Sequence, residues 1–96
     1  MTSKERKKLQ ALASKMDAIM QIGKGGISEN LIKSLSDALD KRELIKLSVL
    51  QNQEESARSL GESLAQALSA ECVIAIGRKI VLYRRSDRKD IEHIVF

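Results

Sequence analysis

The chain has 96 residues, 43% hydrophobic and 31% charged, which suffices for one globular domain with a core of a few layers and is too little for two. No apolar run approaches the roughly 20 residues of a membrane-spanning helix, and the opening MTSKERKKLQ lacks the apolar stretch of a secretory signal, so a cytoplasmic protein without a membrane partner is expected. The formal net charge of +4 is uneven: residues 1–8 carry four cations against one glutamate, residues 77–89 six against one aspartate, and the stretch between 43 and 71 is acidic.

Thr2-Ser3-Lys4-Glu5 reads as a capping box, so a first helix is expected to begin there and to end near Asp17. Leu9, Leu12, Ala13 and Met16 define its apolar face, with Lys4, Lys8 and Lys15 clustered on one flank and Arg6 on the other. Ala18 to Ile22 suits a short buried strand. Ser28 is a plausible N-cap for a second helix, with Leu31, Ile32, Leu35, Ala38 and Leu39 on one side and an end near Arg42. Leu44 to Leu50 alternates as a second strand, placing Ile45, Leu47 and Val49 on one face and Lys46 and Ser48 on the other. After a polar break at Gln51 to Gln53, Ala57 to Leu68 keeps helical spacing, and Gly61, which costs that helix up to ~1 kcal/mol relative to alanine, suggests close packing. Cys72 to Ile76 and Lys79 to Arg84 form an antiparallel hairpin about Gly77-Arg78, with glycine first as a type II′ turn prefers.

The expected fold is therefore α+β: a two-layer α/β domain with a four-stranded mixed sheet in the order α-β-α-β-α-β-β. Both strand-helix-strand units are expected to make parallel neighbours. The whole chain, 1–96, reads as one domain with a core of about 2–85 and a tail, 86–96, that docks or stays free.

Segregated basic charge suggests a polyanionic partner. With Tyr83 and Phe96 the only aromatic rings besides His93, the base-stacking platform of an RRM or an oligonucleotide-binding barrel cannot be built, and a nucleic acid must be gripped mainly by its backbone. Gln21 to Ser28, QIGKGGIS, is the segment suited to that task. A loop passing from a strand into a helix leaves the first helical amides unpaired at the positive end of the helix dipole. Its glycines let a sugar-phosphate backbone approach, and Lys24 adds a full charge. Neither the Walker A spacing nor the dinucleotide fingerprint fits, because Ser28 stands where the latter needs its third glycine. What fits is GxxG, Gly23-Lys24-Gly25-Gly26, the loop by which KH domains clamp an RNA backbone.

Taken with the basic opening helix, IGKGGIS, the Leu31 to Leu39 helix, ELIKL from Glu43 to Leu47 and IGRKIVLYR from Ile76 to Arg84, the chain resembles the CRM domain family in its stand-alone bacterial form over about Lys4 to Arg84. The resemblance implies a fold similar to the C-terminal domain of translation initiation factor three preceded by one extra helix. It also implies RNA binding, with precursors of the large ribosomal subunit as partner, and contact at Gly23, Lys24, Gly25 and Gly26. Ala18 stands where family members often have a proline.

Further RNA contacts are expected from Lys4, Lys8, Lys15, Lys46, Arg78, Lys79, Arg84 and Arg85, with the lysine stripe, Lys24 and the arginines near Arg84 joined into one track. Tyr83 reads as half-buried packing and Cys72 as a small buried hydrophobe. His93 has no cysteine, clustered carboxylate or serine motif around it, so no enzyme, metal, cofactor or small-molecule substrate is expected. The alternative is a protein-interaction module whose glycine loop is only a turn.

Overall fold

Each helix starts on a hydroxyl. In the computed structural model, which describes residues 1–96, Thr2 Oγ1 accepts from the Glu5 amide while the Glu5 carboxylate accepts from the Thr2 amide, completing the capping box of α1 (Ser3–Ala13). Ser28 caps α2 (Glu29–Arg42) and Ser56 caps α3 (Ala57–Leu68) by accepting from Leu31 and Ser59. The strands are β1 (Met20–Ile22), β2 (Leu44–Val49), β3 (Glu71–Ile76) and β4 (Lys79–Tyr83). They form one mixed sheet in the order β1-β2-β4-β3, with β1 parallel to β2 and β4 antiparallel to both of its neighbours.

Only the first strand-helix-strand unit makes parallel neighbours. The second does not, because β4 lies between β2 and β3. The reason is in the side chains. From Ile80 to Tyr83 every residue of β4 is buried, with Ile80 and Leu82 facing α2 and α3 and Val81 and Tyr83 facing α1, so this strand requires cover on both faces and on both edges. β3, with exposed Glu71 and Ile76 at its ends, tolerates the edge. Gly77 makes the hairpin with φ 57°, while Arg78 keeps a negative φ, as a type II′ turn requires.

Two helices cover one face and one helix part of the other. Leu35 and Leu39 of α2 and Leu60 and Leu64 of α3 pack on Ile45, Leu47, Ile80 and Leu82. Leu9 and Ala13 of α1 pack on Leu44, Val73, Val81 and Tyr83. A bulge between Cys72 and Ile74 lets Val73 and Ile74 both serve the α1 side, and Arg6 Nη1 donates to the carbonyls of Cys72 and Val73 at 2.8 and 2.9 Å.

α1 stops at Ala13 rather than near Asp17, since Ser14 caps it and Lys46 Nζ reaches across to the carbonyls of Ala13 and Met16, each at 3.3 Å. Lys15 thus falls beyond the helix, and only Lys4 and Lys8 of the expected stripe are helical. β1 is shorter than the stretch from Ala18, although the Ile19 amide already bonds to Lys46 O.

The close packing suspected at Gly61 is present: a Cβ there would lie 2.8 Å from Cys72 Sγ and 3.5 Å from both Ala75 and Ile80. Gly61→Leu should therefore overpack the seam between α3 and the sheet and cost about 2–3 kcal/mol, read as a lower midpoint in urea unfolding.

Candidate nucleic-acid interface

The glycine loop connects β1 to α2. β1 and β2 run in parallel and β4 runs against them, so the loop, the segment after Val49 and the β3–β4 turn all emerge at one end of the sheet. Hydrogen bonds tie the three together. Leu50 N donates to Ile22 O at 2.9 Å, Val49 N to Arg78 O at 2.8 Å, and Arg78 Nη1 to Leu50 O at 3.2 Å. Gln53 Nε2 donates to Gly23 O at 2.7 Å and so fixes the base of the loop.

Within the loop, Gly26 N donates to Gly23 O at 3.0 Å, closing a turn whose last residue has φ 68°, a conformation that favours glycine. Gly25 is exposed and a side chain added there would meet nothing within 4 Å. Lys24 is exposed beside it. The Ser28 cap takes the Leu31 amide, and Ser28 O takes that of Ile32. The Glu29 and Asn30 amides ahead of them lie in the first helical turn, where no intrahelical acceptor exists.

Arg78 and Lys79 stand at this same end, both exposed, with Lys79 Nζ donating to Ser48 Oγ at 2.7 Å. Carboxylates are near as well. Glu29 opens α2, and Glu54 and Glu55 line a cleft with Gln53 and Arg78.

The other basic residues lie elsewhere. β4 begins at Lys79 and Arg84 follows its far end, so the structure separates the arginines near Arg84 from Lys24 by the length of the strand. Arg84 is enclosed by acceptors: Nη1 donates to Leu68 O at 2.9 Å, and Nη2 to Ser36 O, Ser36 Oγ and Asp40 Oδ1 at 2.9, 3.1 and 2.9 Å. Arg85 is exposed next to it. Lys4 and Lys8 lie against the C-terminal Phe96, and Lys8 Nζ donates to Val95 O. Lys15 is exposed in the turn after α1, and Lys46 is half-buried under that turn. The single track drawn through all these groups is thus divided between two ends of the sheet.

The tail docks at the far end, on a residue that sequence reasoning missed. Glu43, fully buried at the C-cap of α2, accepts from Ser86 N and His93 Nδ1 at Oε2 and from Ile94 N at Oε1, each at 2.8 Å. Burial alone would raise its pKa, but the hydrogen bonds from His93, Ser86 and Ile94 outweigh this and hold it below the usual carboxylate range. An ionised carboxylate only accepts, so His93 Nδ1 carries the proton. Tyr83 is buried rather than half-buried and meets Phe96 edge-to-face with centroids 5.6 Å apart. Cys72 is half-buried against the core rather than buried, and burial pushes its thiol up.

The profile of the CRS1/YhbY (CRM) domain matches residues 1–84. The chain belongs to this family. As a CRM domain it is 43% identical over 93 residues to the probable RNA-binding protein YqeI of Bacillus subtilis, covering 96% of this chain and 97% of that one. It is 27% identical over 92 residues to an RNA-binding protein of Haemophilus influenzae, covering 96% and 93%. The solution structure of a hypothetical protein from Staphylococcus aureus, described as a candidate for RNA binding, shares the CRM fold with TM-score 0.78 and 47% identity over 98% of this chain and 99% of that one. These relatives carry names for RNA binding and none for a reaction. No helix of this CRM domain is long and apolar enough to cross a membrane.

Proposed function

We propose that the chain, acting as one domain, binds RNA of the large ribosomal subunit precursor during its assembly in the cytoplasm, and that the GxxG loop is the primary contact. The observation that carries this reading is the meeting of exposed Lys24 and Gly25 with Arg78 and Lys79 at one end of the sheet, in a chain whose relatives are named for binding RNA. The loop amides and Lys24 hold phosphates, Arg78 and Lys79 extend the grip, and RNA shape supplies more specificity than base edges do. Arg84 takes no part, its guanidinium being held by Leu68 O, Ser36 and Asp40, and Lys46, bonded to the carbonyls of Ala13 and Met16, is no phosphate contact. Lys4, Lys8, Lys15 and Arg85 add attraction at a distance, and the carboxylates of Glu29, Glu54 and Glu55 restrict the path the RNA can follow.

The test is Lys24→Asp combined with Gly25→Asp, both at exposed positions. Affinity for a labelled fragment of precursor ribosomal RNA should fall by about tenfold or more while the circular dichroism spectrum stays unchanged. In the unaltered chain, three phosphate contacts imply a further loss of roughly twentyfold between about 50 and 200 mM salt. Full affinity of the double variant at fixed ionic strength rejects the loop. Absence of the protein from sedimenting immature large subunits rejects the assembly role.

A further inference from the structure

α1 covers only part of its face of the sheet. Beyond it, strand pairing lines up Gln21, Ser48, Lys79 and Ile76 across all four strands, in a row that begins one residue before the strand β1 gives way to the glycine loop. Ile76 is 67% exposed, among the most exposed large apolar side chains of the protein, although it sits inside a strand. Between it and α1 is a crevice of about 150 Å³. Ala13, Ile74, Ile76 and Val81 line it together with Gln10, Ser14 and Lys46, and its surface is almost wholly apolar.

We propose that this crevice receives an unpaired base of the RNA whose phosphates lie at the glycine loop, Arg78 and Lys79; the inference rests on the RNA-binding reading above. A nucleobase has two flat apolar faces and a polar edge; the crevice offers an apolar lining to the faces, and Gln10, whose carboxamide both donates and accepts, is among its lining residues. Charge agrees. No carboxylate lines the crevice, and Lys79 stands between it and Arg78 to hold the intervening phosphate. Lys46 gives two protons to the carbonyls of Ala13 and Met16 and keeps a third for a ligand. The two aromatic rings are occupied with each other at the far end of β4, so aliphatic side chains take the place of a stacking platform here.

The experiment uses the full chain, an oligouridylate octamer and the same octamer without bases. Ile76→Ser and Gln10→Ala each change a side chain outside the buried core, and an unchanged melting curve verifies folding. Each should weaken binding of the intact octamer by about threefold to tenfold and leave the abasic one unaffected. Equal affinity of these variants and the unaltered chain for the intact octamer, or an equal loss for both octamers, overturns the proposal and leaves the surface to a protein partner. Full affinity of the Lys24→Asp, Gly25→Asp variant instead overturns the loop reading beneath it.

Discussion

Glu43→Ala should destabilise the protein by about 3–5 kcal/mol, a large part of the total stability of a domain this size, as measured by urea unfolding near neutral pH. Three donors converge on this carboxylate from the tail, and all three lose their acceptor at once. Its backbone adds to the joint, donating to Leu39 O at 2.8 Å and accepting from Arg84 N at 2.9 Å. Glutamine is no substitute, because its amide nitrogen would point at a donor whichever way it turned. Glu43 also holds φ 63° without being glycine, a strained conformation. Glu43→Gly should therefore recover about 1 kcal/mol relative to Glu43→Ala, although glycine also loosens the unfolded chain.

The same carboxylate sets an acid limit. Its folded pKa lies below the unfolded reference of 4.5, so the folded state binds the proton less readily. Its contribution is complete above that reference and is lost as pH falls through the folded value. The stability difference between the unaltered chain and Glu43→Ala should accordingly be constant near neutral pH and shrink in acid. A difference that grew on acidification would contradict the assignment.

Arg84→Ala should cost about 2–3 kcal/mol in the same assay while leaving RNA affinity within about twofold, once folding is verified. Its guanidinium joins the end of α3 through Leu68 O to α2 through Ser36 and Asp40, and its side chain is only 20% exposed. Lysine cannot form that fork, so Arg84→Lys should recover less than half of the loss. A large drop in RNA affinity without loss of stability would return Arg84 to the interface.

Local patterns carried much of the architecture. The capping box at Thr2, the serine caps, the apolar faces of α2 and α3 and the Gly77-Arg78 turn are encoded in adjacent residues, and periodicity reveals them. The position of β4 is not local. Its uninterrupted Ile80 to Tyr83 run demands burial on both faces, and this requirement outweighs the tendency of a strand-helix-strand unit to make adjacent parallel strands. The roles of Arg84 and Lys46 are hidden for a related reason: a basic side chain in or just after a strand reads the same whether it meets water or an acceptor of the fold. Glu43 carried no signal at all, since its three donors come from 43 to 51 residues away.

The seating of β4 between β2 and β3 has a consequence for synthesis on the ribosome. β4 leaves the exit tunnel after β1, β2 and β3 yet joins the first pair to the edge strand, so β2 waits with an open flank and β3 waits without a neighbour until Tyr83 has emerged. Closing the sheet, and with it the folding of the domain, therefore waits on the emergence of β4.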